Sequence, residues 1–308
     1  VVGVRSRLEV TVSNLSDRSG AILVQLFLSG IKVDQKSIDL NAMGEGKVYF
    51  EVSFAKKGWV NGEVRLSSRD NLSLDDSYYF PLKVREKIKV LIIDRAPSAS
   101  LKESESYYLL NALRPDDSEE SPFMPRVISE EELAKTDTNP YEVVVWMNVA
   151  RLQGSQMASI LESGKPVLLF LGDQVVPDEY NRIPLFPWRI REKKEAGIGK
   201  PVRIAHVDDG HDFLKPFSGS GGESLRAASF HRYFKVEGSM KSLLILGNQD
   251  PLLVESEIGK SKILLFTSSG DLDWNDLPLK AAYLPLIQRM IKEAVGSLRD
   301  SIPSTIRF

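Results

Sequence analysis

The chain has 308 residues, 42% hydrophobic and 27% charged, with 40 basic residues against 42 acidic ones for a formal net charge of −2. That is an ordinary globular balance, and its near-neutrality argues against nucleic acid as a main partner, because phosphate binding needs a concentrated basic surface. With no cysteine, disulfides, thiolate metal sites and thiol nucleophiles are all excluded.

The length predicts two domains. Residues 1–86 read as short strands. "RLEVTVSN" alternates Leu8, Val10 and Val12 with Glu9, Thr11 and Ser13, the period-two pattern of a half-buried strand. "AILVQLFLS", "KSIDL", "KVYFEVSF", "VNGEVRLS" and "SYYFPLKV" follow, separated by turns at Ser29-Gly30, Gly44-Glu45-Gly46, Lys57-Gly58 and Arg69-Asp70-Asn71. Six or seven strands without helical periodicity predict an immunoglobulin-like β-sandwich.

From Lys87 to Phe308 the rhythm changes. "KIKVLIID" is an apolar, largely β-branched run ending at Asp94, as expected for a strand buried on both faces. "ESYYLLNAL" has helical spacing, "PRVIS" and "PYEVVVWMN" read as strands, and "QMASILESG" as a helix with Gly164 at its carboxyl cap. "KPVLLFLGD" is the next strand. This alternation predicts a doubly wound, parallel α/β sheet of flavodoxin-like type. "SLLILGN", "PLLVESEIG" and "SKILLFTSS" are three more strands, the last two paired around Gly259-Lys260, and a closing helix places Leu284, Ile287, Ile291 and Val295 on one face. The polar, Gly-rich stretch 182–240 reads as long mobile loops with small elements. The chain opens on Val, shows no signal-peptide pattern and has no run of about 20 apolar residues. It is therefore expected to be the soluble region of a longer protein.

Chemistry is sought first at Leu171-Gly172-Asp173, where an apolar strand stops. Ligands and nucleophiles of open α/β sheets stand beyond such strand ends. The elbow carries a carboxylate in place of Ser, Cys or Thr, and only His206, His211 and His231 could supply an imidazole. A hydrolase would pair Asp173 with His206 or His211; the simpler role is capping a turn or the next helix. "HVDDGHD" clusters His206, Asp208, Asp209, His211 and Asp212 like a metal site, although alternate residues on a strand point apart. "DLDWND" starts like a calcium loop at Asp271, Asp273 and Asn275, then carries Asp276 where Gly belongs and Ala282 where a bidentate Glu belongs. Helix capping and a buried Trp274 anchor are the simpler expectation. "AGIGKP" and "GSGGES" lack nucleotide-binding spacing. Trp188, Phe230, Tyr233 and Phe234, with Arg189, Arg191 and Arg232, form either a stacking surface or a loop packed on the sheet. No catalytic, cofactor or metal residue is assigned.

"DNLSLDDSYYFPLKVREKIKVLIID" resembles a junction in bacterial BatA-type membrane proteins of aerotolerance operons, through Asp70, Leu72, Asp75, Tyr79, Phe80 and the "VLIID" strand. "YEVVVWMNVARL", "GKPVLLFLGDQVVPDEYN" and "ILLFTSSGDLDWNDLPLKAAYLPLIQRMI" resemble successive blocks of the same family, over essentially the whole chain. The resemblance implies a periplasmic, adhesin-like sandwich followed by a class I glutamine amidotransferase-like domain, anchored by membrane helices outside this chain. Enzymes of that fold use an elbow Cys with His and Glu; none of that motif carries over. The expected function is a non-catalytic ectodomain that contacts other membrane or envelope proteins, without a cofactor. The alternatives are the Asp173 hydrolase and a small-ligand or metal sensor.

Overall fold

The computed structural model describes residues 1–67, 76–95, 104–115, 120–197, 199–296 and the backbone of 305–307. The turn carrying Asp70, Leu72 and Asp75 lies outside the described residues. In chain order the strands are β1 Ser6–Ser13, β2 Gly20–Leu28, β3 Ile31–Leu40, β4 Glu45–Val52, β5 Gly58–Ser67, β6 Ser77–Val84 and β7 Ile88–Asp94. Then come α1 Tyr107–Leu113, β8 Phe123–Ser129, α2 Glu130–Leu133, β9 Val143–Met147, α3 Gly154–Glu162, β10 Val167–Phe170 and α4 Pro177–Asn181. The remainder is β11 Trp188–Glu195, β12 Val202–Val207, α5 Glu223–Arg226, β13 Ser229–Phe230, β14 Arg232–Gly238, β15 Lys241–Leu246, β16 Pro251–Ile258, β17 Ser261–Phe266, α6 Tyr283–Ala294 and β18 Thr305–Arg307. Two compact units result: Val1–Lys87 with Glu119–Pro122 and Ser301–Phe308, and Ile88–Ser118 with Phe123–Asp300.

In the first unit, strand alternation sends Val10, Val12, Val24, Leu26, Val48, Phe50 and Val64 into one buried cluster. Four strands form a sheet in the order β3-β2-β5-β6, and three form another in the order β18-β1-β4. Strand β18 comes from the far end of the chain and pairs parallel to β1.

The second unit is built on a nine-stranded sheet, β13-β12-β15-β16-β17-β10-β9-β7-β8. Strands β8, β7, β9, β10 and β17 run parallel to one another. Strands β16, β15, β12 and β13 continue the sheet antiparallel. Alternation along each central strand feeds two cores. Val90, Ile92, Val145, Leu168 and Leu264 face one side, where α1 and α6 pack. Leu91, Ile93, Val144, Leu169 and Leu265 face the other, with Met157 and Ile160 of α3 and Tyr180 of α4. Each of these fully buried aliphatic side chains contributes about 1.5–3 kcal/mol of transfer free energy.

The expected fold class, an immunoglobulin-like sandwich followed by a doubly wound, flavodoxin-like (class I glutamine amidotransferase-like) domain, is thereby corrected. Strands make up 44% of the described residues and helices only 19%, and the large sheet is mixed. The first unit is not a self-contained antiparallel sandwich either, since it takes β18 from the other terminus. The stretch 182–240, expected as loops, contains strands β11 and β14 paired as an antiparallel ribbon. Trp188, Ile190, Phe234 and Val236 turn inward there, while Arg191 and Glu237 pair on the outside. Helix α6 buries Tyr283, Leu286, Ile287, Met290 and Ile291, whereas Leu284, expected on that face, is exposed. Gly164, with φ +76°, follows α3 as its left-handed cap.

Candidate functional site

The parallel strands bring the ends of β7, β9, β10 and β17 to one edge of the second unit. Asp94 at the end of β7 is fully buried and accepts hydrogen bonds from Ser104 Oγ (2.5 Å) and the Ser106 backbone N–H (2.9 Å). These bonds fix the approach to α1 and hold Glu105, between the two serines, over the strand ends.

Asn148 follows β9 and is the hub. It is buried and has φ +52°, a left-handed conformation that Asn adopts more readily than bulkier residues. Its Nδ2 donates to Glu105 Oε1 (2.6 Å) and to Asp173 Oδ1 (2.7 Å), and its Oδ1 accepts from the Gln174 backbone N–H (2.9 Å). The elbow glycine has a steric reason: a Cβ on Gly172 would lie 2.3 Å from Asn148 Cγ. Burial pushes the Glu105 carboxyl up to about 8, assisted by the charge of Asp271 and, more weakly, of Asp94 and Asp273, against the opposing bond from Asn148.

After β17 the chain turns through Thr267, Ser268 and Ser269, all buried. Asp271 Oδ1 accepts from the Asp273 backbone N–H (3.0 Å). The Asp273 carboxyl is raised by burial and by the charges of Asp271 and Asp173. Trp274 is buried, with its backbone N–H donating to Ser269 Oγ, and packs against Phe234. Glu105, Asp173, Asp271 and Asp273 therefore share one neighbourhood, and among the described residues none of them forms an ion pair.

Asp173 is exposed, and Asn148 and the Gln174 side chain (Nε2 to Oδ2, 2.7 Å) hold it. It does not cap α4, whose N-cap is Val176. His206 is exposed on β12, separated from β10 by β15, β16 and β17, so about 19 Å of sheet lies between the two strands. His211 pairs through Nε2 with Oε2 of Glu255 on β16 at 3.2 Å. Neither imidazole joins Asp173.

The residues of "HVDDGHD" disperse. Asp208 pairs with Lys241, whose charge and hydrogen bond hold that carboxyl low, and Asp212 pairs with Lys215. Nor does the calcium-like loop converge: Asn275 is buried and donates to Ser268 Oγ and the Ser269 carbonyl, while Asp276 accepts from the Ser229 N–H and pairs with Lys280. No group of three or more His, Asp or Glu side chains among the described residues could hold a metal ion. Trp188, Phe230, Tyr233 and Phe234 are buried, so they pack on the sheet and offer no stacking surface.

Glu105 and Asn148 were not singled out by the sequence. The one local signal was an Asn placed directly after the buried "VVVWM" strand, a position suited to a left-handed residue.

No family model matches the sequence, and no curated protein matches it. Among solved structures, a cytoplasmic protein from Salmonella typhimurium is similar at TM-score 0.51 and 14% identity, over 68% of this chain and 98% of its own. Another cytoplasmic protein, from Salmonella typhimurium LT2, is similar at TM-score 0.50 and 13% identity, over 78% and 96%. A ThuA-like protein from Parabacteroides merdae reaches TM-score 0.46 at 14% identity, over 71% and 94%. At these identities the likeness concerns fold alone.

Proposed function

We propose that this chain is a non-catalytic interaction module of a membrane-anchored bacterial protein, working against other membrane or envelope proteins. One observation carries the reading. At the strand-end elbow, Asp173 is engaged by Asn148 and Gln174, with no thiol in the chain and the candidate imidazoles His206 and His211 elsewhere in the unit. The imidazole that activates a Ser- or Cys-type nucleophile is absent from the elbow, where the neighbours are an amide and further carboxyls. The periplasmic location and the anchor rest on the family-like blocks of the sequence; no helix among the described residues is long and apolar enough to cross a membrane. Crosslinking of the full-length protein in its native membrane, followed by purification, is expected to recover discrete partners. Recovery of none across crosslinkers of different reach would overturn the reading.

A second reading is favoured by the carboxyl pair. Glu105 and Asp173 accept from the same amide nitrogen, at 2.6 and 2.7 Å, which places two carboxyl oxygens about 5 Å apart or less. Glu105 keeps its proton to about pH 8. A protonated carboxyl beside a second one is the arrangement of acid-assisted hydrolysis. Turnover of chromogenic glycosides or esters, abolished by Glu105→Gln, would establish it; no turnover leaves the interaction reading in place.

A further inference from the structure

The structure assigns a docking groove between α1 and the start of α6 to a partner-protein segment that carries an apolar side chain beside a cationic one. This deepens the interaction reading above and rests on it. The groove holds about 360 Å³; Tyr108, Ala112, Pro278, Ala281, Tyr283 and Leu284 line it with ring and hydrocarbon surface, and Asn111 and Lys280 complete the lining. At its rim Leu279 is 64% exposed and Leu284 40%. Apolar side chains gathered around a concavity mark interaction surfaces, whereas single exposed ones do not.

Charge selects the occupant. Asp271 adjoins the groove, because Tyr283 of the lining donates to the carbonyl of Gly270, the residue before Asp271 (3.1 Å); the Asp271 charge also raises the Tyr108 and Tyr283 hydroxyls, after burial. Beyond it stand Asp273 and Asp173, without an ion-pair partner among the described residues, and the neutral Glu105. Lys280, the cation of the lining itself, is neutralised by Asp276 (2.8 Å), and Arg232 pairs with Glu195. A neutral apolar segment would fill the groove and leave these carboxylates uncompensated. An acidic one would be repelled. A Lys or Arg next to the apolar anchor reaches both features, and such complementarity sets specificity and association rate.

The test is a random peptide library displayed on phage and selected against the whole chain, with the selected peptides then synthesised and titrated by fluorescence anisotropy. The expected peptides combine Lys or Arg with Leu, Ile, Phe or Trp. Their affinity should fall about tenfold or more with Ala281→Trp, which fills the groove at an exposed position, and also with Asp271→Asn/Asp273→Asn. It should weaken as salt is raised to about 0.3 M, and stay unchanged in Glu257→Gln on the exposed side of β16. Absence of enrichment, selection of acidic or uncharged peptides, or full affinity in both groove and rim variants would overturn the assignment. If crosslinking recovers a partner whose binding ignores Ala281→Trp, the interaction reading stands and the groove assignment falls. If peptides bind as expected and no membrane partner is recovered, the groove stands and the broader reading falls.

Discussion

Glu105→Gln isolates the energetic cost of the carboxylate edge. In the folded chain the Glu105 carboxyl titrates at about 8, against 4.5 for the free group. Above about pH 4.5 the unfolded chain has lost this proton while the folded chain keeps it, so the unfolded state binds fewer protons and stability falls as pH rises. The slope approaches ~1.4 kcal/mol per pH unit, and between pH 5.5 and 7.5 this one group removes about 2.5 kcal/mol. Glutamine keeps the shape and still accepts from Asn148 Nδ2 through its amide oxygen, but it does not ionise. The variant should therefore lose this part of the pH dependence and gain stability over the wild type as pH approaches 8. Urea unfolding at the two pH values, followed by fluorescence of the buried Trp146, Trp188 and Trp274, measures it on the second unit. An unaltered pH slope in the variant, or a wild type that gains stability relative to it with rising pH, would refute the reasoning.

The remaining predictions concern the hub, the buried charges and the acidic loops. Asn148→Ala removes two donors to carboxyls and the acceptor for Gln174, and should cost about 2–3 kcal/mol in urea unfolding. Gly172→Ala should cost about 1–3 kcal/mol through its clash with Asn148, and much less in the Asn148→Ala background; additive costs would show that the contact does not matter. Lys262→Met takes away the cation shared by Glu255 (3.0 Å) and Glu293 (3.4 Å), both largely buried, and should destabilise the chain by about 3 kcal/mol or more. Adding calcium or zinc should leave the melting temperature unchanged, because the carboxylates of 206–212 and 271–276 face different partners; a rise of several degrees would mean that they converge.

Parts of this architecture were legible in the chain and parts were not. Strands β7, β9, β10 and β17 announced themselves because a strand buried on both faces must be apolar at nearly every position. The hairpin at Gly259-Lys260 was readable from its turn. The ribbon of β11 and β14 was hidden, since its outward side chains are charged and only Trp188, Ile190, Phe234 and Val236 betray an inner face. Strands β12 and β13, which complete the sheet's antiparallel half, were hidden in the stretch read mainly as loop. Strand β18 could not be foreseen, because its pairing with β1 joins opposite ends of the chain. The site shows the same division. Asp173 stood out by its place after a strand, whereas Glu105 and Asn148 are ordinary polar residues in isolation. Their chemistry comes from four strand ends meeting at one edge, and no linear spacing encodes that meeting.

The central claim is that the chain binds partners and does not turn over substrate. Quantitative crosslinking of the full-length protein in native membranes, with wild type and Glu105→Gln compared side by side, tests it most directly. The account predicts the same discrete partner from both proteins, since the exchange keeps the shape of the edge. No protein enriched over a mock purification, alongside hydrolysis by the wild type that Glu105→Gln abolishes, would contradict it.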